Sequence, residues 1–150
     1  MPDRPLVTIG RVRNGVSGGS KGVDWKEVVS RIEVDPAYEA GLEGIEEFSH
    51  LYILFLLQGE EAALTRHPRN RADLPEVGVF ASRSPNHPSP LGLTLVELLS
   101  RRGNELEVRG LDAWDGTAVL DLKPFMLRAL PENLRYPAWL DQLERKGDAG

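Results

Sequence analysis

The sequence predicts a mainly β protein: a single small closed or nearly closed barrel with one or two short helices and a helical tail. Three observations lead there. Short β-rich stretches alternate apolar and polar residues. They follow one another at close spacing with few helices between them. Glycine, proline and Asp-Gly turn signals separate them. With 150 residues the chain suits one compact domain with its own core. The barrel is expected in residues 1–130 and a tail with a short helix in residues 131–150.

The elements follow in order. Residues 6–12 are short and β-branched and read as a first strand, followed by a flexible loop with Gly15, Gly18, Gly19 and Gly22. Residues 28–34 alternate as a half-buried second strand does. Pro36 opens a short helical stretch to about Gly44, with Asp35 placed to cap its free amides. Residues 50–57 are almost purely apolar and predict a central strand covered on both faces. Residues 58–76 are polar and form a long surface loop, and residues 78–81 a brief strand. Residues 93–99 alternate again, and Gly103-Asn104 turns the chain back onto residues 105–111. After a turn at 112–116, residues 117–122 make the last strand, which Pro124 ends. The tail holds one amphipathic helix with Trp139, Leu140 and Leu143 on one face.

Composition narrows the function. The chain has no cysteine, which excludes disulfides, thiolate metal sites and cysteine nucleophiles. No apolar run reaches the roughly 18 residues of a membrane span, and no secretion signal is expected at the N-terminus. A cytoplasmic protein fits these features. Eighteen basic residues against 23 acidic ones leave a net charge of −5, so any nucleic-acid contact must come from a local basic patch.

Several constellations invite chemistry. Lys21 in the glycine loop is not a P-loop lysine, because Ser20 and Gly22 flank it where glycine and Ser or Thr are needed. His50, His67 and His87 share no ligand spacing, so no metal site is expected. Ser84, His87 and Asp115 lack the nucleophile elbow of a hydrolase triad. Residues 83–92 hold three prolines, which stiffen a loop that presents Arg83 for a bidentate grip on a carboxylate or phosphate. At residues 111–117 two carboxylates, Asp112 and Asp115, flank Trp114. This is either a plain Asp-Gly turn or a cluster for ribose hydroxyls or a cation. Arg66, Arg69 and Arg71 are either a solvated loop or, with Lys21, the wall of an anionic-ligand groove.

Taken together, three ordered blocks resemble the TsaA-like β-barrel methyltransferases. GIEEFSHLYILF at 44–55 is similar to the family's GIEGFSHIWVLF. GVFASRSPNHPSPLGL at 78–93 is similar to GVFATRSPxRPNPIGL, and LDAWDGTAVLDLKPF at 111–125 to LDLVDGTPVLDIKPY. With the opening strand the likeness covers residue 5 to about 130. It implies a small barrel that binds S-adenosylmethionine without a dinucleotide-binding fold, often as a homodimer. It further implies N6-methylation of threonylcarbamoyladenosine beside the tRNA anticodon.

The family's cofactor contacts fall by position on Gln58, Arg83, Leu93 and the turn Asp112, Ala113, Trp114 and Asp115. Asp115 is the first candidate for a general base. Lys21, Arg66, Arg69, Arg71 and His87 are the candidates for holding tRNA. The chain departs from the family at His87 and Ser89, where arginine and asparagine are usual, and at Gln58, where histidine is usual. Two alternatives follow from those departures: methyl transfer to a small-molecule acceptor, and a non-catalytic S-adenosylmethionine-binding module.

Overall fold

The computed structural model describes residues 3–59 and 63–144; positions 60–62 of the long loop and 145–150 of the tail lie outside the described residues. Eight strands form: β1 (Gly10–Arg13), β2 (Val29–Val34), β3 (His50–Leu56), β4 (Thr65–Arg66), β5 (Val77–Gly78), β6 (Leu91–Arg102), β7 (Glu105–Arg109) and β8 (Ala118–Pro124). Six of them close a barrel in the order β1-β2-β7-β6-β3-β8, and β4 and β5 pair separately. Gly10 pairs with Val34 on one side and Val119 on the other, so the first strand of the ring is bonded to the last. The pairings of β1 with β2 and β8, of β2 and β6 with β7, and of β3 with β8 are antiparallel. Following direction around the ring makes β6 and β3 antiparallel as well.

Contacts divide the chain into two compact units: residues 1–56 with 92–127, and residues 57–91 with 128–150. The first is the barrel. Its interior is filled by the inward row of each strand, with Val12, Ile32, Ile53, Leu106, Val108 and Val119 fully buried. Breaks in register between Leu54 and Phe55 and between Leu98 and Ser100 bend the strands enough to close so small a ring. The second unit carries the β4–β5 pair, short 3-10 turns at Pro68–Asn70 and Val79–Ala81, and helix α1 (Ala138–Glu144).

Several expectations change: the strand expected over 93–99 runs Leu91–Arg102, and the loop expected over 58–76 holds β4 and the turn Pro68–Asn70. The first strand starts at Gly10, not Leu6, because Leu6 and Val7 stand exposed ahead of the ladder. Gly10 itself lies so close to the Glu33 carbonyl that a side chain there would collide. β3 is covered on one face: Leu51, Ile53 and Phe55 are buried, while Tyr52 and Leu54 are half-buried and Leu56 is exposed. A barrel strand has only one inward face, however apolar its sequence. The stretch at 78–81 is a strand only to Gly78 and then a 3-10 turn.

Local signals held elsewhere. Asp35 accepts the Ala37 amide at 2.9 Å and caps the 3-10 helix Pro36–Leu42. Gly103 turns β6 into β7 with φ of 59°, and Asn104 clamps Val34 by two bonds of 2.6 and 2.9 Å. In α1, Leu143 is buried and Trp139 and Leu140 are half-buried.

Candidate functional site

One end of the barrel is built around the turn at 112–117. Leu111 and Ala113 are buried, whereas Asp112, Trp114 and Asp115 are exposed. Asp112 is held from β6, where the Thr94 hydroxyl donates to its Oδ1. Leu93 faces the other side of β6 in an outward row with Leu91 and Leu95. Trp114 meets Trp25 edge to face at 5.2 Å, which fixes the indole while leaving it partly open.

Asp115 has a different task from its neighbour. Its Oδ1 accepts the backbone amides of Asn14 at 2.8 Å and Gly15 at 3.1 Å. Its own amide donates to the Val16 carbonyl at 2.7 Å. These two donated bonds, with the Arg13 charge behind them, hold the carboxyl below its ordinary value. A general base working near neutral pH needs the opposite shift. The geometry makes Asp115 a clasp between the glycine loop and the turn.

Asn14 completes the clasp. Its side-chain amide donates to Ser30 Oγ at 3.0 Å and the Ala113 carbonyl at 2.9 Å, and its Oδ1 accepts from Val16. Ser30 is fully buried, so this bond satisfies a hydroxyl that has left water. Arg11 adds a bond to the Gly116 carbonyl at 3.2 Å. Neither Asn14, Ser30 nor Thr94 was among the expected site residues. The Asn14-Gly15 pair was a readable turn signal, whereas the partners of Ser30 and Thr94 are remote in sequence. Lys21 lies exposed further along the same glycine loop.

The second unit holds Gln58, Arg66, Arg69, Arg71, Arg83 and His87. Gln58 and Arg83 are exposed. The loop bearing Arg83 is braced by its own serines: Ser82 Oγ bonds the Val79 carbonyl at 2.8 Å, and Ser84 Oγ accepts the Asn86 amide at 3.2 Å. Arg66 donates to Ser84 Oγ and, at 3.3 Å, to Asn70 Oδ1. Arg71 forms a bidentate pair with Asp73, the nearer contact at 2.6 Å. His87 Nε2 lies 3.0 Å from the Ser82 carbonyl, which only accepts, so that nitrogen carries the proton. Arg66, Arg71 and His87 thus each bond within this unit. Arg69 is exposed, with φ of 51° beside Asn70 at 57°.

Fold and site together define a small antiparallel barrel with a clasped acidic turn at one end. The chain belongs to the tRNA-methyltransferase O N-terminal domain family, whose model matches residues 19–129. A probable S-adenosyl-L-methionine-binding protein of Archaeoglobus fulgidus is 48% identical over 126 residues, covering 80% of this chain and 33% of that protein. A probable S-adenosyl-L-methionine-binding protein of Pyrococcus abyssi is 36% identical over 131 residues, covering 83% and 70%. The human tRNA (adenine(37)-N6)-methyltransferase is 36% identical over 102 residues, covering 66% and 23%. The crystal structure of TrmO from Pseudomonas aeruginosa superposes with a TM-score of 0.71 at 25% identity, over 93% of this chain and 62% of that one. The chain therefore spans about a third of the Archaeoglobus relative and under two thirds of the Pseudomonas structure.

Proposed function

We propose that this chain is an S-adenosylmethionine-dependent methyltransferase that methylates N6 of threonylcarbamoyladenosine beside the anticodon of tRNA, working as a homodimer in the cytoplasm. The observation that carries the reading is the turn at 112–117. It exposes Asp112 and Trp114 while Asp115 is spent on holding the turn in place. The family, and relatives described as S-adenosyl-L-methionine-binding proteins and tRNA methyltransferases, supports the same reading.

The side chains fit the cofactor's chemistry. By its position in the family's proline loop the exposed Arg83 is assigned to the cofactor's carboxylate, and in the barrel the Asp112 carboxylate suits ribose hydroxyls. By their positions in the family's motifs, Leu93, 42% exposed, is assigned to adenine, and Gln58, Trp114 and the main chain at Ala113 to further contacts. When bound, the cofactor supplies an activated methyl group. The work left to this chain is to orient the acceptor amine and keep water away. Thr94 sets the direction of Asp112, and Asn14 with Asp115 keeps the turn from opening. Lys21 and Arg69 are the residues we assign to phosphate contacts.

One observation favours a second reading, a binding module without turnover: the archaeal relatives are described by binding alone. Calorimetry with S-adenosylmethionine, followed by methyl transfer to unmethylated tRNA, tests both. The expected result is micromolar binding, about −8 kcal/mol. Arg83→Ala is expected to weaken it about 10- to 100-fold, the range for a lost charged hydrogen bond. Absence of binding by the folded wild-type chain overturns the proposal, and binding without transfer to tRNA or any nucleoside favours the module.

A further inference from the structure

The family's block LDLVDGTPVLDIKPY has valine at the position this chain fills with Trp114. The larger side chain is held in one place. The Thr117 amide and hydroxyl both donate to the Trp114 carbonyl, at 3.2 and 2.7 Å. Trp25 meets the indole with 64° between the ring planes, and an edge-to-face pair occupies at most one of a ring's two faces. Trp25 is its only aromatic neighbour among the described residues, and Trp114 stays 38% exposed. Both tryptophans, with Thr94, Asp112 and Asp115, belong to the barrel unit.

The surroundings of that indole favour a positive charge. Asp112 and Asp115 flank it in sequence, and residues 111–117 hold no lysine or arginine. Asp112 accepts from Thr94 through Oδ1 and is in no ion pair among the described residues. The arginines of β1 that reach this end are engaged. Arg13 pairs with Glu33 at 3.3 Å, and Arg11 donates to the Gly116 carbonyl at 3.2 Å. A cation within about 6 Å of a ring centre is drawn to the face of an indole more strongly than to that of Tyr or Phe.

We propose that the Trp114 indole seats the positively charged sulfonium of the cofactor, and so makes this chain select S-adenosylmethionine over its uncharged demethylated product. The inference rests on the cofactor reading given above and assigns one residue of that site its task. In the cofactor the sulfonium stands one carbon from the ribose ring. Trp114 likewise stands two residues from Asp112, the group assigned to the ribose. Valine at this position offers apolar contact without a π face. During transfer the S–CH3 bond breaks as the acceptor's N–C bond forms. The sulfur keeps the bonding pair as a neutral thioether, and a proton passes from the nitrogen to water. The indole therefore grips the cofactor before transfer and has no charge left to hold afterwards.

Calorimetry on the full chain tests this without turnover. S-adenosylmethionine and S-adenosylhomocysteine are titrated into wild type, Trp114→Val, Trp114→Leu and Trp114→Phe, each shown to be folded by a thermal melt. The readout is the ratio of the two dissociation constants, which a general loosening of the turn leaves unchanged. Trp114→Val and Trp114→Leu are expected to lower the preference for S-adenosylmethionine by about 2- to 30-fold, the range for one cation–π contact. Trp114→Phe, with a smaller ring, is expected to keep part of it. Sinefungin, which bears an ammonium in place of the sulfonium, is expected to follow S-adenosylmethionine across all four proteins. A ratio that stays the same in Trp114→Val and Trp114→Leu makes Trp114 a packing residue and overturns the proposal, while the cofactor reading stands. A folded wild-type chain that binds neither ligand overturns the cofactor reading itself, and this inference with it.

Discussion

Asn14 and Asp115 stand 101 residues apart in sequence and 2.8 Å apart from backbone nitrogen to carboxylate oxygen. The bond joins the glycine loop that leaves β1 to the turn that enters β8, and the Asn14 side chain reinforces it at Ala113. The candidate site is therefore a property of two distant segments held at one end of a ring. What the clasp holds shut, the adjacent Asp112 and Trp114 expose.

The clasp has a pH signature. Asp115's carboxyl titrates below its ordinary value of 3.8 because Asn14 and Gly15 donate to it, with the Arg13 charge adding to the shift. A carboxyl whose folded pKa is depressed contributes stability above its unfolded pKa and loses it as pH falls through the folded one. Thermal melts from about pH 6 to about pH 2 are expected to show a steeper fall in Tm for wild type than for Asp115→Asn. Parallel curves for the two proteins would show that the carboxylate's charge is not what the amides hold.

Gly92 on β6 is buried directly against the Phe55 ring, where an added Cβ has no room. Gly92→Ala is expected to destabilise the barrel by about 1–3 kcal/mol, the usual range for overpacking a core. Phe55→Leu in the same chain is expected to recover part of that loss, because the new methyl then fills the space the ring gave up. Urea unfolding of the two single variants and the double variant measures the coupling.

The phosphate contacts proposed for Lys21 and Arg69 can be read from salt dependence. Lys21→Ala and Arg69→Ala are each expected to reduce the slope of log Kobs for tRNA against log salt by about 0.7 to 0.9, the loss of one phosphate contact. Arg66→Ala is expected to leave that slope unchanged and instead to speed hydrogen exchange at the Asn86 amide, whose acceptor Ser84 it steadies. A slope change for Arg66→Ala equal to that for Arg69→Ala would assign Arg66 a phosphate contact as well.

Much of the barrel was legible because its signals are local. The alternation of β2 and of β7, the proline and aspartate that start the helix at Pro36, and the Gly103 turn all act within a few residues. The chemistry-bearing blocks were legible by resemblance, without their internal division of labour. Asp112 and Asp115 are three positions apart and look alike in sequence, yet one is bonded to Thr94 on β6 and the other to the loop after β1. Likewise Arg66 and Arg71 belong to one cluster on paper, but Arg66 bonds to Ser84, 18 residues on, and Arg71 to Asp73, two residues on. The single-faced burial of β3 was hidden for a related reason. Tyr52, Leu54 and Leu56 are apolar on the outside as well as within, so residue type alone does not reveal the strand's inner face.

The pairing of Gly10 with Val119 also sets an order of events during synthesis. Until β8 has left the ribosome, β1 and β3 each lack a neighbour, and the nascent chain presents two raw strand margins. A ring with such distant partners folds slowly compared with one built from adjacent hairpins. Both margins find their partner only once β8, which ends at Pro124, is available to pair.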